Sequence, residues 1–587
     1  MTSLLGELSH IVEDAFIAEG LSGDMGGVRI SDRPDLAQFQ CNGAMIAAKQ
    51  AKKNPRAVAE VVVARLKNNP VFSKIEIAGP GFINLNIADQ YLTAHLEAAA
   101  KDVRCGVPLA ADGETIVLDY GGPNIAKAMH VGHLRTAIIG EALRRIFLFS
   151  GYNAISDVHM GDWGTQIGMV ISEFRIRHPE WPYFNAASSG PYPAESPFTL
   201  ADLEEVYPFA AQACKDDDAR KEMARVATAE LQDGRPGYRA LWKHIVNVSV
   251  AGMKENYDAL NVHFDLWNGE SSVHDLIEPM VGRLEEKGYA VKDGGATVIP
   301  VAKNDDQKEY PPLILYKSDG AVMYGTTDLA TLVDRMKMNP RKVIYVVDQR
   351  QGLHFEQVFR AAYKTGIVPP DVGLIHAGNG TMNGTDGKPF KTRAGGVLRL
   401  EDLVGSARSK ALDLMMEANL AQDADQRELE DTAHMVGIAA IKFADLQNQR
   451  QSDYIFDLDR MTSFEGKTGP YMLYQAVRIK SLLRKAKAQG DMPGQDIILK
   501  DEDRPLALLC LELPETIEAT LRNYTPHVLC DYAYRLANAF SSFYGNCHIL
   551  SEPDPLLKKS RLALSALVLA ELELALDLLG IRIPDRM

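Results

Sequence analysis

The stretch that decides the fold is TIVLDYGGPNIAKAMHVGHLR, which runs from Thr115 to Arg135. Its first six residues are an apolar run of the kind that forms a buried parallel strand. A glycine pair follows, and apolar residues then recur at helical spacing up to Phe147. A second apolar run, at 153–160, completes a β–α–β unit. The chain is therefore predicted to contain a doubly wound parallel sheet of the α/β class.

Two histidines lie between the end of the predicted strand and the start of the predicted helix. Ligands of open parallel sheets bind at this position, because helix N-termini there attract anions. His130 and His133 are three residues apart and project from one side of the first helical turn. Gly122 permits a tight turn close to a ligand, Gly132 leaves a flat surface for a ring such as adenine, and Lys127 adds a cation. The stretch predicts a nucleotide-binding turn with donors facing phosphates.

The histidine pair by itself has two other interpretations. Two histidines at this spacing can be core or surface residues by chance, and they can be metal ligands. No cysteine or carboxylate stands at a helpful helical offset, so zinc is the weaker alternative. The order of strand, glycine pair, lysine, histidines and helix favours the anion site.

A second basic segment, TDGKPFKTRAGG at 385–396, follows a predicted strand at 372–378. Lys388, Lys391 and Arg393 lie between its glycines. A glycine-flanked loop with several cations suits the charge that develops between phosphates in a transition state. A solvated surface turn is the alternative for this segment taken alone.

The amino-acid composition argues against several classes of protein. The net charge of −15 speaks against generic binding to nucleic acid, although it does not exclude a local basic groove. The six cysteines are scattered without a CxxC pair, which predicts neither a disulfide framework nor a zinc ribbon. No uninterrupted apolar run is long enough to span a membrane. We expect a cytoplasmic protein.

The pattern of apolar and polar residues changes along the chain and indicates several domains. A hairpin-like pattern at 74–87 lies in a small N-terminal α/β unit. The β/α alternation breaks at about 171–310, which predicts an insertion in the sheet domain, and it resumes with an apolar strand at 342–348. From about residue 400 the pattern is helical. The predicted domains are residues 1–108, 109–400, 401–455 and 456–587.

These motifs resemble those of a known family. HVGH at 130–133 resembles the HIGH signature of class I aminoacyl-tRNA synthetases, and residues 119–145 as a whole are similar to arginyl-tRNA synthetases. The similarity continues through MYGTTDLA (323–330), VIYVVDQRQGLHFEQVF (343–359), GKPFKTRAGG (387–396) and TGPYMLYQAVRIKSLLRKA (468–486).

The resemblance implies a Rossmann-like catalytic domain with an inserted connective domain. It also implies an N-terminal domain that touches the tRNA corner and an all-α anticodon-binding domain at the C-terminus. The implied activity is ATP-dependent ligation of L-arginine to its tRNA through an arginyl-adenylate, with release of AMP and pyrophosphate. Mg²⁺ would accompany ATP, and we expect neither a structural metal nor an oligomer.

The resemblance also implies catalytic roles. His130 and His133 would donate to the ATP phosphates, while Lys127, Lys391 and Arg393 would hold charge on the leaving pyrophosphate. The remaining ATP contacts would come from Gly122, Gly132, Lys388 and Thr392. The family's Lys-Met-Ser-Lys type loop matches PFKTR here, so Pro389 replaces its first lysine and Lys127 would compensate. A second alignment, on Lys388 and Lys391, leaves the individual roles of these two lysines open.

Selecting arginine requires a carboxylate, because a guanidinium is a permanently charged fork of donors. Asp328 is the main candidate, and Tyr324 lies four residues earlier on the same side of a predicted helix. The resemblance adds Asn124, Gln351 and Asp119. Lysine would be rejected because it cannot fill both hydrogen bonds. The alternative for Asp328 is a helix N-cap.

A basic run provides candidates for tRNA contact in an otherwise acidic chain. The candidates are Arg478, Lys480, Arg484 and Lys485. A solvated helix face is the commoner fate of such a run, but beside the resemblance we favour phosphate contact. Three rival functions are an adenylating enzyme that uses no tRNA, an RNA-binding protein without catalysis, and a metal-dependent hydrolase.

Overall fold

The computed structural model describes residues 3–384, 387, 398–418, 420 and 425–587. The N-terminal domain is a four-stranded antiparallel sheet in the order β1-β2-β4-β3 with helices on it. Its hairpin β3–β4 is the one that the alternating pattern predicts. The elements are α1 (Leu4–Ala18), β1 (Val28–Ile30), β2 (Phe39–Cys41), α2 (Gly43–Ala51), α3 (Pro55–Leu66), β3 (Phe72–Ala78), β4 (Phe82–Ile87) and α4 (Asp89–Lys101).

The central domain is built on a parallel sheet in the order β11-β10-β5-β6. Its elements are β5 (Thr115–Tyr120), α5 (Leu134–Phe149), β6 (Asn153–Asp157), α6 (Thr165–Arg177), α7 (Leu200–Asp216), α8 (Asp218–Gln232), α9 (Pro236–Ala259), α10 (His274–Glu286), β7 (Val291–Asp293), β8 (Ala296–Ile299), β9 (Leu313–Tyr316), α11 (Tyr324–Arg335), β10 (Lys342–Val346), α12 (Gly352–Thr365), β11 (Gly373–His376) and β12 (Met382–Asn383).

The four parallel strands coincide with the four apolar runs. The inner strand β5 is covered on both faces, and its residues Ile116, Val117 and Leu118 are completely buried. The chain crosses from β5 to β6 on one side, whereas β10 lies on the other side of β5. The strand order therefore reverses between β5 and β10, and the crevice beyond their carboxyl ends is the ligand position of such sheets. The predicted Rossmann-like fold class is confirmed.

The excursion between β6 and β10 has two parts. Helices α6 to α9 leave the sheet, and the chain then returns to the edge of β6 through parallel bridges from Asp157 to Leu266 and from Met160 to Gly269. Helix α10 and the antiparallel sheet β7-β8-β9 follow before α11.

The remainder of the chain is helical. Its elements are α13 (Leu400–Glu417), α14 (Gln426–Leu446), β13 (Tyr454–Ile455), α15 (Leu458–Met461), α16 (Gly469–Ala488), α17 (Arg504–Cys510), α18 (Leu513–Asn523), α19 (His527–Cys547) and α20 (Pro555–Leu578). This region packs on the N-terminal domain, where Arg504 pairs with Asp89 and the Ile497 amide donates to Glu97 at 2.9 Å. Of the helices that the structure describes, none combines the length and apolar character required to cross a bilayer.

Candidate active site

The predicted histidine turn lies at the carboxyl end of β5. Val131–His133 form one 3₁₀ turn, and α5 begins at the next residue. His130 Nδ1 accepts from the Gly132 amide at 3.0 Å, and His133 Nδ1 accepts from the His130 amide at 3.2 Å. A neutral imidazole that accepts at Nδ1 carries its proton on Nε2. Each ring therefore has an Nε2–H donor available for a ligand.

The environment keeps both rings neutral. Burial, followed by the neighbouring His130, lowers the pKa of His133 to about 3. Burial and then Lys127 lower the pKa of His130. The ring centroids are 4.0 Å apart, and a Cβ on Gly132 would lie 2.7 Å from His130 Cε1. Glycine at this position therefore allows the compact arrangement of the two rings.

The chain that follows the basic loop returns directly to this turn. The Val131 amide donates to the Leu398 carbonyl at 3.1 Å, and the Leu400 amide donates to the Met129 carbonyl at 3.0 Å. Lys388, Lys391, Thr392 and Arg393, which the sequence assigns to the loop, lie outside the described residues.

Lys127 lies in a cleft of about 260 Å³ between the turn and the helical excursion. Its ammonium is 4.7 Å from the ring centroid of Tyr207 on α7, a cation–π contact. The same cleft is lined by Glu204 and Arg399, which form an ion pair at 2.9 Å. Lys127 is therefore held beside the histidine turn by a side chain of the inserted helices.

A second cavity, of about 190 Å³, lies beyond the ends of β5 and β10. Five predicted residues line it, namely Gly122, Asp119, Tyr324, Asp328 and Gln351. Helix α11 starts at Tyr324 with Met323 as its N-cap, so the N-cap interpretation of Asp328 is wrong. Tyr324 and Asp328 are one turn apart on this helix, as the spacing predicts.

The two aspartates of this cavity have different partners. Asp328 Oδ2 lies 2.5 Å from His354 Nε2, and this hydrogen bond raises the pKa of His354. Asp119 Oδ2 lies 2.5 Å from Arg335 Nη2, which also binds Asp157 at 2.9 Å. Burial raises the pKa of Asp119, and the Arg335 charge opposes that effect. Asp119 therefore reaches the cavity with its charge already paired.

Asn124 is held at the edge of this region. Its Oδ1 accepts from Gln166 Nε2 at 3.3 Å, and its backbone forms a bridge with Gly161. Asn124 is not among the described residues that line the 190 Å³ cavity.

Seven residues of the cavity wall are absent from the sequence-based candidates, and two of them, Glu270 and His354, carry titratable groups that bear on a cationic ligand. Glu270 lines both this cavity and a neighbouring one of about 490 Å³, and burial raises its pKa to about 7. No local pattern marks it, because it arrives through the return of the chain to β6. His354 could have been found from the sequence, because it follows the predicted arginine contact Gln351 by three residues, a spacing that places both side chains on one side of a helical turn.

The four residues of the predicted tRNA-binding run differ in whether they already have partners within the protein. Lys480 pairs with Glu573 at 3.2 Å, and Arg484 Nη1 donates to the Asp585 carbonyl at 3.1 Å. Arg478 lies 4.4 Å from the ring centroid of Tyr544. Lys485 is exposed and forms no ion pair with any residue that the structure describes.

A stripe of aromatic and cationic side chains runs between α16 and α19. Tyr471 donates to Asn538 at 2.7 Å, Lys467 lies over the Tyr534 ring, and Arg478 lies over Tyr544. We call this group of residues, Lys467, Tyr471, Arg478, Tyr534 and Tyr544, the α16–α19 stripe. The four members of the stripe that lie on α16 and α19 are only partly buried, namely Tyr471, Arg478, Tyr534 and Tyr544. Tyr532 and Phe540 of α19, in contrast, belong to the core.

Two neutral Nε2–H donors in an HVGH turn, at the point where a Rossmann-like sheet reverses its order, define the architecture of a class I aminoacyl-tRNA synthetase. The family model described as "tRNA synthetases class I (R), catalytic domain" matches residues 96–458. The "Arginyl tRNA synthetase N terminal domain" matches residues 4–87, and the "DALR anticodon binding domain" matches residues 472–587. The chain belongs to the arginyl-tRNA synthetase family.

Relatives of similar length support this placement. The chain is 50% identical over 590 residues to an arginine–tRNA ligase of Hyphomonas neptunium, and 48% identical over 590 residues to one of Alkaliphilus oremlandii. In both comparisons all of each chain is covered.

Solved structures show the same fold over the full length. Arginyl-tRNA synthetase of Plasmodium falciparum superposes with a TM-score of 0.83 at 25% identity, and that of Thermus thermophilus with a TM-score of 0.79 at 21% identity. Both comparisons cover all of this chain and all of the other.

Proposed function

We propose that the crevice between β5 and β10 carries out both steps of arginine–tRNA ligation. The enzyme is an ATP-dependent arginine–tRNA ligase. The arginine carboxylate attacks the α-phosphate of ATP to give arginyl-adenylate and pyrophosphate, and a terminal ribose hydroxyl of the tRNA then takes the arginyl group and releases AMP. The observation that carries the proposal is the adjacency of a phosphate-binding turn and a carboxylate-lined cavity at one switch point.

ATP binds over the histidine turn. The Nε2–H groups of His130 and His133 donate to its phosphates, and their neutral state suits donors that must release pyrophosphate afterwards. Gly122 and Gly132 admit the nucleotide, and Mg²⁺ enters with ATP as part of the substrate. The protein's contribution to this step is positioning and charge stabilisation.

Cations approach the pyrophosphate from two directions. Lys127 lies in the same loop as the histidines. Lys388, Lys391, Thr392 and Arg393 belong to a segment whose far end is hydrogen-bonded to the histidine turn at Leu398 and Leu400, which supports a role beside the phosphates.

The guanidinium of arginine enters the 190 Å³ cavity. Asp328 supplies the charged acceptor, Tyr324 lies on the same helix face, and Glu270 offers a second carboxylate. Asn124 and Gln351 contact the backbone end of arginine, and Asp119 supports the floor through Arg335. Lysine is rejected because its single ammonium leaves one buried acceptor unpaired.

The two ends of the chain bind tRNA. We assign residues 1–108 to the tRNA corner, 109–400 to catalysis, 401–455 to the acceptor stem and 456–587 to the anticodon. Unstacked bases bind aromatic and cationic side chains, so the α16–α19 stripe is the favoured anticodon surface, with Lys485 on phosphate. Arg478 belongs to the stripe, while Lys480 and Arg484 hold the C-terminal segment in place. The enzyme acts as a cytoplasmic monomer.

The test is a charging assay with purified tRNA and each of the standard amino acids. Only arginine is expected to be attached. Arginine-dependent exchange of pyrophosphate into ATP, measured with and without tRNA, separates this function from an adenylating enzyme that uses no tRNA. Exchange without any attachment to tRNA would contradict the proposal.

A further inference from the structure

The last residue of β5 is hydrogen-bonded to the helix that carries the histidine turn. The Tyr120 hydroxyl lies 3.0 Å from Glu141 Oε2 and 2.7 Å from the His263 carbonyl, so its single proton is shared between two acceptors, and the side chains of Tyr120 and Glu141 are completely buried. The Tyr120 ring packs directly on Gly140, where a Cβ would lie 2.1 Å from its Cγ. Because Tyr120 precedes the glycine turn and α5 follows His133, this contact holds the two walls of the nucleotide site together.

Glu141 is also connected to the last helix of the chain. Its Oε1 accepts from Arg145 Nε at 2.7 Å. Arg145 Nη1 in turn donates to the Asp577 carbonyl at 3.2 Å and to Asp577 Oδ1 at 3.1 Å. Asp577 lies in the last turn of α20. We call Asp577, Arg145, Glu141 and Tyr120 the α20–β5 chain.

A second contact holds the same end of α20. The buried Lys442 of α14 donates to the Gly580 carbonyl at 2.9 Å and to the Asn261 carbonyl at 3.4 Å. The end of α20 is thus held against the catalytic domain at two neighbouring points. A displacement of α20 has to move Arg145 or break its hydrogen bonds.

We propose that Arg145 and Glu141 are positioning residues that transmit the placement of the C-terminal helical domain to the nucleotide site. A buried carboxylate that loses one of its donors rearranges, because an unpaired charge in the interior is costly. Packed networks of this kind switch between discrete arrangements. A small shift of α20 therefore changes the position of the glycine turn and of the two histidines relative to the nucleotide. The inference rests on the proposed function, since it requires tRNA to bind the C-terminal domain.

The test compares full-length tRNA with tRNA that lacks the anticodon arm. Arg145→Ala is expected to lower kcat for charging full-length tRNA by about tenfold, while the KM values for ATP and arginine stay within about twofold of the wild type. The truncated tRNA, which does not engage the C-terminal domain, is expected to be charged at the wild-type rate. A role in stability alone would lower both rates equally, and that outcome would overturn the proposal.

The chain offers a matched control. Arg177 of α6 donates through Nε to the buried Glu173 at 2.7 Å and through Nη1 to Glu205 at 2.8 Å, which reproduces the geometry of Arg145. Arg177→Ala is expected to leave the charging of both tRNAs unchanged.

A double-mutant cycle tests the connection itself. Tyr120→Phe removes the hydroxyl at one end of the α20–β5 chain, and Asp577→Ala removes the side-chain acceptor at the other end while the Asp577 carbonyl remains. The double variant is expected to lose no more activity than the single variant with the larger loss. Losses that multiply would contradict a continuous chain. These variants also carry the test if Arg145→Ala fails to fold. A wild-type enzyme that does not charge arginine would instead contradict the proposed function.

Discussion

Asp119 and Asp328 line the same cavity, but their charges are compensated in opposite ways. The Asp119 side chain is 10% exposed and is paired with Arg335, a guanidinium that never loses its charge. The Asp328 side chain is 23% exposed and is paired with His354, whose charge depends on pH. A carboxylate with a permanent internal partner supports the site, whereas one with a titratable partner remains available to a cationic ligand.

The largest expected effect is on Asp328. Asp328→Asn removes the charged acceptor for the guanidinium and is expected to lower kcat/KM for arginine by about 1,000-fold, since truncating one member of a desolvated charge pair costs several kcal/mol. The melting temperature should change little. Asp334→Asn, on the exposed face of the same helix, is the control. Normal charging of arginine by Asp328→Asn would refute the assignment.

Asp119→Asn is expected to act first on stability. Arg335 keeps Asp157 but loses the negative charge of its closest acceptor, so the free energy of unfolding should fall by about 2 kcal/mol. Denaturant unfolding measures the loss. An unchanged stability together with a loss of arginine affinity as large as that of Asp328→Asn would show that both aspartates recognise the ligand.

The pH dependence of arginine binding tests whether Glu270 acts as a charged acceptor in the cavity. Its pKa is raised to about 7 by burial, so it is mostly neutral at lower pH and mostly a carboxylate at higher pH. The wild-type KM for arginine should therefore fall as the pH rises through 7, and the loss of charge from His354 acts in the same direction. Glu270→Gln should raise KM about tenfold at about pH 8 and less than threefold at about pH 6. A uniform effect across this range would contradict a charged role.

The smallest expected effect is on α16, where one lysine is already paired within the protein and another is not. Lys485→Ala should raise the KM for tRNA about threefold and weaken its dependence on salt, because this exposed lysine has no ion-pair partner within the described ranges and is available to phosphate. Lys480→Ala, which breaks a pair with Glu573, should leave the salt dependence unchanged. Equal changes in the two variants would show that their internal contacts do not matter.

Most of the sheet and the nucleotide turn could be predicted from the sequence. The apolar runs at β5, β6, β10 and β11 and the helical spacing of α5 depend on neighbouring residues only, and their order along the chain places His130 and His133 between the end of a strand and the start of a helix. That this position is a switch point of the sheet is shown only by the spatial order of the strands. Asp328 was predicted because a guanidinium requires a carboxylate, and Tyr324 because one helical turn separates it from Asp328.

Contacts between distant segments could not be predicted in this way. Glu270 reaches the arginine cavity because the chain returns to β6 after four helices, and no spacing rule records such a return. The same limit applies to the basic run of α16, where Lys480 and Arg484 meet acidic and carbonyl groups close to the C-terminus.

The sequence by itself determined the α/β class, the place of the nucleotide turn and the family, because these depend on local periodicity and on the order of short motifs. Only the tertiary structure decided which charges are already paired. Asp119 meets Arg335 across 216 positions and Arg145 meets Asp577 across 432. Electrostatic compensation depends on distance in space, and the folded chain alone sets that distance.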